Sequence, residues 1–270
     1  MKSIELSSWS EFPATIEGIV RDFGTHKIAV HKQINRILYR GQSDSNWKLE
    51  TTLERFSSIT WTVNSYSHLA LACAPQIESY TDKTWNLPKS GELELELERE
   101  SNMFIVDIPF YAFWVYLRHH GFPSPLLDWT MSPYIAAFFA FNEQHNAEKA
   151  AIFVFIETPE GTKEGWGGEP LITMLGPYVK THRRHFLQQS CYTLCTVCKN
   201  TQHRFESHEM VFRKDNQDQD IVIKITIPRS ERIKILSYLN NVNINHFSLF
   251  QNEEALMKTL AFREIEMHDL

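Results

Sequence analysis

The sequence predicts an α+β fold, and three observations predict it. Hydrophobic residues make up 43% of the 270 positions and charged residues 22%, proportions ordinary for a chain that packs a core. Strand-length apolar segments, Ala151–Ile156 and the alternating Ile221–Ile227, are interleaved with segments of helical periodicity. No repeat, low-complexity tract or linker divides the chain, so one domain over 1–270 is expected, with 1–35 as a helical decoration on a core at 36–262.

Taken in order, Pro13–Phe23 reads as an opening helix with Ile16, Ile19, Val20 and Phe23 on one face. Arg36–Gly41 is a short strand that ends in a glycine, Gln42–Asn46 is polar turn chemistry, and Trp47–Phe56 brings large apolar anchors. Glu92–Glu98 alternates as a strand would, yet Glu and Leu both favour helix, and Leu93, Leu97, Phe104 and Ile108 continue one stripe towards His120. Ser132 and Pro133 give a hydroxyl cap and a first-turn proline to a helix, Tyr134–Phe141, that is apolar on nearly all sides and therefore buried. Glycine-rich Glu160–Pro170 is a loop. Cys191–Val197 and Ile221–Ile227 are strands, and Arg229–Leu239 and Asn252–Arg263 are closing helices.

Composition also limits function. A formal charge of −6 argues against a whole-protein grip on nucleic acid, because phosphate binding needs a positive face. Lys180–Arg184 is the local basic candidate, and taken alone it reads as a solvated turn. The start lacks a secretory pattern, and the apolar runs Ile105–Leu117 and Tyr134–Phe141 are too short to cross a bilayer. The expected protein is soluble and cytoplasmic, without membrane contact, and its four cysteines are reduced thiols.

Two segments concentrate chemistry. Arg40, between Tyr39 and Gly41–Gln42, stands at a strand end where a two-pronged guanidinium grips phosphate or carboxylate, or pairs structurally with a nearby acid. Leu117–Pro133 packs two histidines, three prolines, one acid and a tryptophan into seventeen residues. Within it, Leu126–Asp128 is held extended, and Asp128 orients a histidine, holds Arg40 or caps the next turn. His119 is a proton carrier or a satisfied packing residue. Ser132 is a cap rather than a nucleophile, since no strand–turn–helix elbow surrounds it.

These two segments carry a resemblance. YRGQSDSNWKLETTLER, from Tyr39, and HHGFPSPLLDWTMSPYIAAFFAF, from His119, resemble the two signature blocks of the FRG domain family. His185–Thr193 and Ile244–Phe250 resemble its later, weaker blocks, so the likeness runs from about Ser8 to Leu260. Arg118 stands where the family often has glutamine, and Pro125 where it often has arginine; Arg118 is the residue that could replace that missing cation. The resemblance implies a mixed, mostly antiparallel sheet with flanking helices, remotely similar to ADP-ribosyltransferases. FRG domains occur in bacterial and phage proteins, in settings that suggest toxin, effector or defence roles. By that kinship Arg40, with Gly41 and Gln42, would hold NAD or a related nucleotide, Thr130 and Ser132 would order the site, and His119 and Trp129 would line it. Gln189 (or Gln188) would take the third-strand position, and Asp128 or Glu254 would be the carboxylate that stabilises a cationic sugar. The acceptor would be an unspecified macromolecule. A non-catalytic nucleotide- or protein-binding module is the other reading.

One metal pattern remains. Cys195, Cys198, His203 and His208 have knuckle-like spacing, but strand alternation sends Cys195 and Cys198 to opposite faces and the glycines of a tight knuckle are missing, so no metal is expected.

Overall fold

The computed structural model describes residues 1–23, 37–99, 108–159, 168–177, 179–200, 202–212 and 220–269. Among the described residues, eight strands form one sheet: β1 (Lys2–Glu5), β2 (Ile37–Gln42), β3 (Leu127–Thr130), β4 (Lys149–Ile156), β5 (Pro170–Leu175), β6 (Ser190–Lys199), β7 (Gln202–Phe205) and β8 (Ile221–Pro228). Their order is β1-β8-β4-β2-β3-β6-β5, with β7 also paired to β6. Among the described residues, only β1 and β8 run parallel and the other pairings are antiparallel.

The helices follow from capping and periodicity. They are α1 (Phe12–Phe23), α2 (Thr52–Phe56), α3 (Val63–Thr81), α4 (Ser90–Arg99), α5 (Tyr111–His119), α6 (Pro133–Phe141), α7 (Arg183–Leu187), α8 (His208–Phe212), α9 (Arg232–Asn241), α10 (His246–Phe250) and α11 (Glu253–Glu264). Ser132 caps α6 as its sequence predicts, accepting from the Ile135 amide at 3.3 Å with proline at the first turn. Thr51, Thr62 and Asn245 build reciprocal capping boxes for α2, α3 and α10.

Alternation along β4 explains why Ala151–Ile156 is apolar without interruption. Ile152, Val154 and Ile156 join a core with α1, α6, α9 and Phe262 of α11. Ala151, Phe153 and Phe155 join a second core with Trp129 and Phe212. A third cluster packs α3 and α5 over β6 through Tyr66, Trp114, Tyr192 and Leu194. A strand covered on both faces needs no polar positions.

Several expectations need correction. Trp47 and Phe56 are exposed, and Leu49 and Leu53 supply the anchors instead. Val20 faces solvent while Phe12 takes its place on the buried face of α1. Leu93 and Ile108 are buried as the stripe requires, whereas Phe104, the side chain of Leu97 and most of the loop at 160–170 lie outside the described residues. Among the described residues, no helix is long and apolar enough to cross a membrane. The four cysteines are free thiols.

Candidate functional site: an arginine-lined cleft where the sheet splits

Strands β2 and β3 pair through a single position, Tyr39 opposite Thr130, and then diverge. Their partners hold them apart, because β2 continues along β4 for six residues and β3 along β6 for four. A cleft of about 420 Å³ opens at this split. Its walls include Tyr39, Arg40 and Gly41 from β2, Asp128 and Thr130 from β3, Arg118 and His119 from α5, Arg184 and Gln188 around α7, and the rings of Phe139 and Phe250.

Arg40 bridges the split. Its Nη1 donates to the Asp128 carbonyl at 2.8 Å, while its Nε is sealed from solvent without an acceptor. Burial lowers its pKa to about 10, Asp128 opposes that shift, and Arg118 and Arg55 add to it. Arg118, on the last turn of α5, pairs through Nη2 with the Asp128 carboxylate. Arg184 lies 5.4 Å over the Phe250 ring. The Nε atoms of Arg118 and Arg184 are sealed and unpartnered as well.

Gly41 sits in this wall for a packing reason. A Cβ there would lie 1.9 Å from the Ala136 carbonyl and 2.6 Å from the Ala140 amide, so the backbone of α6 rests directly on the strand. The backbone that comes close beside Arg40 is therefore that of a helix.

A chain of polar bonds fixes the far wall. His185 Nε2 bonds the Pro177 carbonyl at 2.9 Å, and its Nδ1 meets the Tyr192 hydroxyl at 3.1 Å. A carbonyl only accepts, so a neutral His185 carries its proton on Nε2 and accepts the Tyr192 proton at Nδ1. The Tyr192 oxygen then accepts from His119 Nε2–H at 2.8 Å, which leaves Nδ1 of His119 as its lone-pair nitrogen. Burial lowers the His119 pKa to about 4, with Asp128 opposing and His185, Arg118 and His182 adding to the shift. At neutral pH this cleft residue is an uncharged imidazole of fixed tautomer.

The other expected site residues divide. Thr130 lines the cleft, donating to the Gln188 carbonyl at 2.7 Å and accepting from the Ser132 amide at 3.2 Å. Gln188 lines the cleft and donates to the Leu249 carbonyl at 3.3 Å; Gln189 does not line it, and turns away at a left-handed φ of 48°. Trp129 is among the residues that line the cleft, while its ring packs in the core, the indole N–H on Thr193 Oγ1 at 2.8 Å and the ring 5.4 Å from Phe155. Gln42 is buried outside the cleft and bonds the Lys48 carbonyl at 3.0 Å. Ser132 caps α6, and Glu254 is exposed on α11, paired with Lys258 at 2.9 Å. Strand alternation explains Trp129, since Asp128 and Thr130 take one face of β3 and leave the other to the indole.

Sequence reasoning missed Arg184, His185 and Tyr192. Arg184 belonged to a stretch that reads as a solvated turn, and nothing in a linear pattern shows that the turn folds against Phe250. The knuckle-like residues do not assemble: Cys195 Sγ is 3.6 Å from the Ser207 carbonyl, and His208 bonds Thr193 at 2.8 Å. Among the described residues, no group of three or more His, Cys, Asp or Glu side chains is placed to hold a metal ion.

Fold and site together define an arginine-lined cleft built into a split antiparallel sheet. The family model for the FRG domain matches residues 35–149, from the approach to β2 to the start of β4, and the chain thus contains an FRG domain. That span holds Arg40, Arg118, His119 and Asp128, while Arg184 and Gln188 come from beyond it. No curated protein and no solved structure matches the chain.

Proposed function

We propose that the cleft binds a phosphate-bearing nucleotide, with NAD as the first ligand to try, and that it supports ADP-ribosyl transfer from NAD. One observation carries the reading: three guanidinium groups, Arg40, Arg118 and Arg184, share one cleft with two carboxylates, Asp128 and Glu143, so the cations outnumber the anions, and Asp128 is already paired with Arg118. Buried cations without matching anions are costly, and a diphosphate supplies the missing charge in the two-pronged geometry that arginine favours. The volume suits a nucleotide fragment, and Phe139 and Phe250 offer apolar walls for a ring.

Transfer would break the bond between nicotinamide and ribose and develop positive charge on the sugar. Asp128, one of the two cleft carboxylates, would stabilise such charge, and neutral His119 could accept a proton from the attacking group. The kinship implied by the FRG resemblance makes NAD the choice among nucleotides and suggests a toxin, effector or defence role in a bacterial or phage setting.

A specific observation favours the second reading, binding without turnover: Asp128 is already engaged by Arg118, and Gln189 and Glu254 stand outside the cleft. Calorimetric titration with NAD, alongside nicotinamide release from labelled NAD, separates the two. Binding is expected, with at least about a tenfold loss in Arg40→Ala, the loss of a charge-assisted bond. Arg40→Lys serves if the alanine variant fails to fold. Binding without nicotinamide release selects the module; neither binding nor release in folded protein ends the nucleotide reading.

A further inference from the structure

A second cavity lies beyond the cleft, against α5 and the segment that leads into α7. It has a volume of about 450 Å³ and is lined by Lys83, Trp85, Tyr116, Lys180, Thr181 and His182, among others. Lys83 stands 5.2 Å over the Tyr116 ring, the Tyr116 and His120 rings are 4.3 Å apart, and those of His120 and His182 are 5.7 Å apart. The His182 ring in turn accepts from the Arg184 amide at 3.2 Å, and Arg184 is a wall of the cleft. A continuous surface therefore runs from the aromatic cavity over His182 to the arginine cleft.

Its charge is one-sided. Lys83, Lys180, Arg183 and Arg184 form no ion pair with a described residue, although α3 ends nearby with Glu78, whose carboxylate is taken by the Trp85 amide at 2.7 Å. The charges acting on these rings are all cationic, from His182, Lys83 and Arg184 on His120 and from Arg184, Lys83 and Arg183 on His182. Phe186, one turn along α7 from these cations, is 84% exposed. The wall of the cavity also holds two donors without acceptors, Trp85 Nε1 and Thr181 Oγ1.

We infer that this surface binds single-stranded nucleic acid, one base entering the aromatic cavity, the phosphates following Lys83, Lys180 and Arg183, and a neighbouring base stacking on Phe186. Unpaired cations beside aromatic rings are what a flexible polyanion with flat bases recognises, and a duplex, whose bases stay stacked, cannot fill the cavity. An acidic protein segment would meet the cations and leave the aromatic cavity unused. The overall charge of −6 does not oppose this, because the cations are local and within a Debye length of the strand. The inference stands apart from whatever the cleft holds.

Fluorescence anisotropy of the full chain with labelled twelve-residue oligodeoxythymidine and oligouridine tests it, and comparing the two probes separates DNA from RNA. Saturable binding is expected, weakening with salt at a log–log slope of about −2, three phosphates at roughly 0.7 each. Lys83→Glu with Lys180→Glu, both exposed positions, should weaken binding at least about tenfold and flatten the slope by about one or more. Phe186→Ala should weaken it about fivefold or more. Arg40→Lys should leave oligonucleotide binding unchanged while it weakens NAD binding, so the two sites fail separately. The inference is overturned by no saturable binding at 50 mM salt, by equal binding of a blunt duplex, by equal competition from polyglutamate, or by loss in Arg40→Lys but not in the lysine double variant.

Discussion

Gly41 shows how one missing atom builds the site. The α6 backbone occupies the space that any side chain at this position would need, with the nearest contact at 1.9 Å. Replacement by alanine must lift the helix from the strand, because the clashing atoms are backbone and cannot rotate away. Since α6 carries Phe139 and leads directly into Asn142 and Glu143, all in the cleft wall, the same displacement deforms the site. Gly41→Ala is expected to cost about 3 kcal/mol in urea denaturation, the upper range for overpacking. Gly121 is the contrasting position: its φ is +85° but a Cβ would meet open space, so alanine there should cost about 1 kcal/mol. Equal costs at the two glycines would show that α6 does not rest on β2 as described.

At the scale of elements, the question is what joins α5, α7 and β6 around the cleft. Tyr192 of β6 links His119 at the end of α5 to His185 of α7, and its buried hydroxyl is held well above the usual phenol range by burial first and Asp128 second. Tyr192→Phe keeps the ring and leaves a donor on His119 and an acceptor on His185 without partners. The expected cost is about 1–3 kcal/mol, read by chemical denaturation; a variant within about 0.5 kcal/mol of the parent would mean that packing alone joins these elements. This link also marks how far the sequence could be read. The strands β4 and β8 and the helix α6 were legible, because burial on both faces, strict alternation and a Ser-Pro cap leave local patterns. Arg40, His119, Asp128 and Thr130 were legible as a candidate site because unusual residues cluster in short segments. By contrast, α3 was invisible: its buried face is Tyr66, Ser67, Ala70 and Ala74, and Pro75 interrupts it. Edge strand β1 is four residues long and shows no apolar run. Arg184 and Gln188 reach the cleft from α7 and its C-cap, and Tyr192 meets His119 from β6, placements that no local period encodes. For Gln189, a one-residue turn at positive φ decided between two adjacent glutamines.

For the whole molecule, the charge state of buried histidines ties stability to pH. Burial lowers His119 to about 4 and His208 to about 3, the latter with a further push from Arg40. His120, His182 and His246 are lowered too, burial leading in each. In the unfolded chain these rings take up protons near pH 6.5. Between about 6.5 and 4 the unfolded state therefore binds more protons than the folded one, and stability must fall as pH falls through that window. Above 6.5 both states carry neutral rings and the contribution vanishes. For the two most perturbed histidines the slope is bounded at about 2.7 kcal/mol per pH unit, one proton each. Thermal unfolding midpoints should be level from pH 7.5 to 6.5 and drop steadily to pH 4.5, and His119→Asn should shallow the drop. Midpoints that hold from 6.5 to 4.5 would mean that the folded rings accept protons freely, and that His119 is not the neutral group described. The direction matters for the cleft, because His208 senses Arg40 and His119 senses Arg118. Acid thus adds positive charge beside arginines already short of partners, and the site should be among the first regions to open.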